Sequence, residues 1–345
     1  MNVNAFNNGF AGIHVLGRGS KTDCRDIYIA QCRAENNPGD PTVLNNHSGN
    51  GILVGNCTNV LIEYCTATNN GWDMPRKGNG PVGIWAYEAD QVVIQHCLSY
   101  KNKTSAGSTD GGGFDFDGGV TNSTIQYCLS YGNQGAGFGL FQFVGASPWY
   151  NNTIRYNISE NDGMVSSAKA GVYVWNGLRD TTQVKDCYFY NNVIYNEDGA
   201  SISYAPEFEH THFNFYNNIF VGRNQLIIGR YSGSVFKGNN WWSITKGFNI
   251  KELKKLEDWR TRTGQELLNN EPVGSNINPE FPFPGQATIT SHTQLKTFFN
   301  YQLPAESVLS IGGIDLQTNF GIDAGGLDFN NQAAKANGVG AAFGE

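Results

Sequence analysis

The stretch of this chain best equipped for chemistry is Asp110-Gly-Gly-Gly-Phe-Asp-Phe-Asp-Gly-Gly119. Asp115 and Asp117 alternate with Phe114 and Phe116, the period-2 pattern that puts rings on one face of a strand and carboxylates on the other. Positions i and i+2 of a strand lie about 6.6 Å apart at Cα. Rotamers then spread the carboxyls over roughly 5–9 Å, which spans the retaining and inverting geometries of glycoside hydrolysis. Two close carboxylates repel, so one is kept protonated as an acid while the other stays ionised. The competing reading is structural: an acidic pair that caps glycine-rich turns, or one that holds Ca²⁺ through oxygen ligands, although no specific motif points to that ion or to any other cofactor.

The elements that must position these acids are legible in a repeat. The Gly-apolar-x-apolar template of residues 113–118 recurs at 12–17, 51–56, 83–88, 137–142 and 171–176, with successive starts 39, 32, 30, 24 and 34 residues apart. A second template alternates with it, ending in Cys32, Cys65, Cys97 and Cys128 and continuing to Asn157, Asn192, Asn218 and Asn240. Two alternating strand templates at this period describe a solenoid with at least two strands per coil. The fold class expected is therefore all-β, a right-handed parallel β-helix over 1–247. Residues 248–345 form a C-terminal helix and irregular tail that packs on or caps it. The helix is expected from the apolar spacing of Ile250, Leu253, Leu256 and Trp259, with Gly264 as its stop. Stacking turns the outward positions into columns. One runs His14, Leu53, Trp85, Asp115, Gly139, Tyr173, and the next Leu16, Gly55, Tyr87, Asp117, Phe141, Trp175.

This arrangement flanks the acidic pair with Trp85, Tyr87, Phe141, Tyr173 and Trp175, expected as exposed platforms on which sugar rings stack. The alternative is that they pack beneath loops. Glu88 is a candidate third catalytic acid in a further column with Asn56, Gly118, Gln142 and Asn176, which otherwise reads as a turn ladder. Asp110 opens the glycine run and is placed to swing over the strand as a substrate contact. Three long loops, carrying His47, Arg76 with Lys77, and Lys101 with Lys103, wall one edge of the same surface, the position where repeat proteins keep their working face. His47, Lys77 and Lys101 are read there as substrate-binding groups or as the base of a lyase. The cysteine columns are read as buried, reduced thiols rather than disulfides, because parallel Cβ vectors suit a bridge poorly. Paired metal-binding spacings are absent.

Composition narrows the partners. There are 43 glycines, only 15% charged residues and a net charge of −7. Glycine suits the many turns of a coil, and the acidic balance argues against nucleic acid. No apolar run is long enough to span a membrane. Met1 leads straight into solenoid-like sequence without a signal peptide, so the chain is expected to be trimmed at its N-terminus from a secreted or periplasmic protein, and to be a monomer.

On these residues the chain resembles the bacterial right-handed parallel β-helix proteins of the pectin-lyase-like superfamily, over about residues 1–245. The stretches 259–266 and 320–326 are similar to the tails of such proteins. The resemblance implies carbohydrate chemistry. It does not single out one catalytic family: Asp115-Phe-Asp117 is partly similar to the polygalacturonase Asp-Asp motif, but neither Gly-His-Gly nor Arg-Ile-Lys is present. Three readings follow: a glycoside hydrolase using Asp115 and Asp117 with Glu88, a polysaccharide lyase acting on a uronate-containing glycan with a loop Lys or His47 as base, and a non-catalytic glycan-binding or adhesive solenoid.

Overall fold

In the computed structural model, which describes residues 1–106, 110–165, 170–206 and 209–344, three parallel sheets of nine, eight and eight strands run the length of a solenoid. The Gly-apolar template builds one sheet. Its strands Ala11–Leu16, Asn50–Gly55, Ile84–Tyr87, Phe114–Phe116, Phe138–Gln142 and Ala170–Asn176 pair consecutively, and two further strands follow at Ala200–Tyr204 and Ile227–Ile228. The register is the one the template requires: Ile13, Ile52, Ile84, Phe114, Phe138 and Val172 are successive partners in one interior row. Phe114 and Phe116 are fully buried, and the Phe114 and Phe138 rings stack with centroids 5.6 Å apart. A slip of one residue would turn every ring outward.

The second template forms a second sheet, from Cys24–Ala30 to Ser234–Lys237. The third sheet is made of short strands such as Thr66–Thr68, Leu98–Tyr100 and Leu129–Tyr131, which follow the cysteine column directly.

Two polar ladders hold the turns in register. All seven cysteines are free thiols. Cys65 N–H points to Cys97 Sγ at 3.4 Å, and Cys97 N–H to Cys128 Sγ at 3.5 Å. Cys128 N–H then donates to Asn157 Oδ1 at 2.9 Å, and the column continues as stacked amides through Asn192 and Asn218. Its next member is Asn239 and not Asn240, which lies one residue on, at the start of the strand Asn240–Ser243. The column ends on Glu266, whose Oε1 accepts from Asn239 Nδ2 and Trp241 Nε1, both at 2.8 Å. A second buried ladder joins Asn37, Asn70, Asn102 and Asn133 and ends on Asp162. Each amide accepts from one rung and donates to the next, so a ladder ends naturally on a group that only accepts, a carboxylate.

The C-terminal segment closes one end and then runs back. The helix occupies only Leu256–Thr263, capped by Gly264 in the left-handed region. Ile250 and Leu253, expected in the same helix, instead pair with each other in an antiparallel bridge, though both are buried. Trp259 is fully buried against Trp241, Phe236 and Phe248 and seals the core. The rest of the tail lies along the third sheet: Ile289 O accepts from Tyr131 O–H at 2.7 Å, and Tyr301 O–H donates to Glu160 Oε2 at 2.7 Å. It reaches back as far as Arg33, whose Nη1 donates to Thr290 O. Among the described residues no helix is long and apolar enough to cross a membrane.

Candidate active site

The pairing register sets Asp115 between Trp85 on one rung and Gly139 on the next, with Tyr173 beyond. The wall loops stack rung on rung above this column: Lys103 N–H donates to Asn70 O and Gly111 N–H to Pro81 O, both at 2.8 Å, and Gly135 N–H to Gly111 O at 2.9 Å. They bring Val82 and Ala136 down onto the aromatic column. As a result Trp85, Phe141 and Tyr173 are buried, at 4%, 7% and 7% exposure, and are not the open platforms expected from the sequence. Leu53, Val82 and Trp85 form one small apolar cluster, and Ala136, Phe141 and Tyr173 another. Tyr87 and Trp175, in the second column, are half-buried and keep access to solvent.

The same covering acts on the acids. Asp115 is 2% exposed, so it lies under the surface and not on the floor of an open groove. Burial, reinforced by the charges of Asp117 and Asp110, pushes its carboxyl well above the ordinary range, and its Oδ1 has no hydrogen-bond partner. Asp117 is half-buried, and its Oδ1 accepts from Gly118 N–H at 2.7 Å. Burial, opposed by that bond and assisted by Glu88, pushes Asp117 up to about 7. Asp110 is half-buried, and its Oδ2 accepts from Gly80 N–H at 2.6 Å, which ties it to the preceding wall loop. Asp110 and Asp115 share a small cavity with Val82, Phe114, Ala136 and Phe141. Burial thus holds two neighbouring carboxyls, Asp115 and Asp117, above the ordinary range, which is the condition for a protonated acid to stand beside an ionised base at one pH.

The other candidates separate. Glu88 sits in a left-handed turn, and its Oε1 accepts from Ser147 N–H at 2.7 Å, so it straps a loop to the rung and reaches the site through its charge on Asp117. Its neighbours behave alike: Gln142 accepts from Gly119 N–H and donates to Ser147 O. His47 bonds Asn50 through Nδ1 at 2.9 Å and meets Trp85 edge-on at 5.1 Å. Burial first, then Arg76 and His14, lowers it to about 4. Lys77 is exposed on its loop. Lys101 lies away from the acids, lining a depression with Tyr131, Glu160 and the tail residues Gly285 and Ala287, because it follows a third-sheet strand and turns toward that side. Val82, Ala136 and Gly139 escape a search for reactive side chains, although Gly139 stands in the Asp115 column as its one missing side chain. Among the described residues no three His, Cys, Asp or Glu side chains converge as a metal site.

A family model described as "Right handed beta helix region" matches residues 1–220. A lacto-N-biosidase of Bifidobacterium longum subsp. longum is 28% identical over 210 residues, covering 57% of this chain and 12% of the relative. The chain therefore spans only a small part of that relative's length. A crystal structure of pectate lyase Pel9A aligns over 97% of this chain and 88% of its own, with 12% identity and a TM-score of 0.41.

Proposed function

This chain belongs to the right-handed β-helix family, and from that premise we propose that it is a glycoside hydrolase whose reacting carboxyls are Asp117 and Asp110. The observation that carries the reading is the acidic cluster at mid-sheet, where burial first, then the charges of Asp117 and Asp110 on Asp115 and of Glu88 on Asp117, hold Asp115 and Asp117 above the ordinary carboxylate range. Asp117 and Asp110 are the two members open to solvent, so they can reach the glycosidic bond, whereas Asp115 lies deeper and meets at most a single group pushed down between them. Asp117, about half protonated near pH 7, delivers its proton to the glycosidic oxygen as the bond to the anomeric carbon breaks. Asp110, held by Gly80 N–H, supports the opposite face, either directly or through the attacking water. Tyr87 and Trp175 flank the opening and hold sugar rings. The similarity to a lacto-N-biosidase, named for cleaving a lacto-N-bioside, favours hydrolysis over elimination.

The test is a screen of aryl glycosides, including the lacto-N-bioside, together with neutral and uronate polysaccharides. Reducing ends without new ultraviolet absorbance support hydrolysis. Unsaturated products would move the assignment to a lyase, with His47 as the first base to replace. Binding without any product would leave an adhesive solenoid.

A further inference from the structure

We infer that the cavity between Asp115 and Gly139 is a specificity slot that seats one hydroxyl of a neutral sugar, with Asp115 as its recognition residue. The assignment rests on the glycoside reading only for the kind of molecule that enters. The slot itself is built by the column. Trp85 and Tyr173 fill the outward positions on either side, and Gly139, the rung next to Asp115, contributes no side chain. A Cβ at position 139 would stand 3.0 Å from Asp115 Oδ1 and 2.9 Å from the Phe141 ring. The space left is about 10 Å³, the room that one water-sized group needs.

Asp115 Oδ1 is buried and has no partner in the folded chain, and a buried polar atom left in that state is costly. A sugar hydroxyl suits it in either protonation state, since it donates to a carboxylate and accepts from a carboxylic acid. The remaining walls select against other groups. The Val82, Ala136 and Phe141 side chains are apolar, so a strongly hydrated group loses more than it gains there. Asp110 lines the same cavity as Asp115, so a uronate carboxylate would be set against two carboxyl groups and no cation among the described residues that line it. The slot therefore reads a neutral sugar and rejects its uronic counterpart, and within neutral sugars it rejects the analogue that lacks the seated hydroxyl.

The test is ligand-observed NMR titration of the intact protein with methyl β-galactoside, methyl β-glucoside, methyl β-N-acetylglucosaminide, their monodeoxy analogues, and galacturonic acid. One neutral glycoside should bind, with one deoxy analogue at least tenfold weaker and galacturonic acid without measurable affinity. Gly139→Ala fills the slot and should weaken the parent sugar at least tenfold while sparing that deoxy analogue. Asp115→Asn, which keeps the shape, should shrink the parent-to-deoxy ratio. Thermal unfolding midpoints within a few degrees of the starting protein confirm that both variants fold. The inference is overturned if no glycoside binds, if galacturonic acid binds as well as the neutral sugar, or if both variants keep the parent-to-deoxy ratio, the last meaning that the cavity holds a structural water only. Binding with the expected ratios but no hydrolysis of any glycoside would sink the hydrolase reading and leave the slot standing. Hydrolysis with ratios indifferent to both substitutions would do the reverse.

Discussion

Replacing Asp117 with Asn should make the protein more stable, and increasingly so as pH rises. The carboxyl titrates at about 7 in the folded chain against an ordinary 3.8. That gap corresponds to roughly 4 kcal/mol of preference for the protonated form. Because the folded pKa is raised, the native state holds its proton after the unfolded chain has released it. Stability therefore falls from about pH 4 to about pH 7 at up to ~1.4 kcal/mol per pH unit and is level above that. Asn has no proton to lose, and its Oδ1 can still accept from Gly118 N–H, the bond now made at 2.7 Å. The variant should match the parent at pH 4 and exceed it by up to roughly 4 kcal/mol at pH 8. Relief of Asp115, which Asp117 also perturbs, acts in the same direction. Urea denaturation of both proteins at pH 4, 6 and 8 gives the comparison directly. Parallel stability curves would refute the reasoning, since they would mean that Asp117 titrates alike in both states and that the cluster is wet.

The thiol column makes an independent prediction: native protein should expose at most Cys24, the one half-buried thiol, to a thiol reagent, and all seven should react once it is denatured. Asn102→Leu should remove about 2–6 kcal/mol, measured by urea denaturation, because Asn70 N–H and Nδ2 both lose their acceptor inside the stack at about 1–3 kcal/mol each. Trp175→Ala should raise KM severalfold with kcat nearly unchanged, as expected for ring stacking that is equal in ground and transition states; a collapse of kcat alone would show that the indole acts in the chemical step.

The first sheet was readable because each template opens on glycine, which fixes where counting starts, and because the alternation runs over six residues of sequence even where, as at Phe114–Phe116, the paired strand is only three long. The third sheet was not, since strands such as Thr66–Thr68 show no period in three residues. The Asn37 ladder could have been found: its spacings of 33, 32 and 31 repeat those of the cysteine column. Asn240 was misplaced by one residue because it adjoins the true ladder member, Asn239, in sequence. At the site, the outward direction of Asp115 was legible and its burial was not. Direction follows from strand parity alone, whereas burial depends on Val82 and Ala136 arriving from stacked loops. Ring burial at Trp85, Phe141 and Tyr173 has the same origin. Lys101 was misplaced because a loop joining two sheets has two sides, and only the unread third sheet tells which one its first residue faces.

The central claim is that Asp117 and Asp110 carry out glycoside hydrolysis. It is tested most directly by steady-state kinetics of Asp117→Asn and Asp110→Asn on the glycoside that the parent protein cleaves best. Both substitutions preserve shape and remove a proton-transferring or charged group, so each should lower kcat/KM by about 10²–10⁴ in a protein that still folds. Near-parental turnover in both folded variants would contradict the account and make the acidic cluster a structural feature of the solenoid.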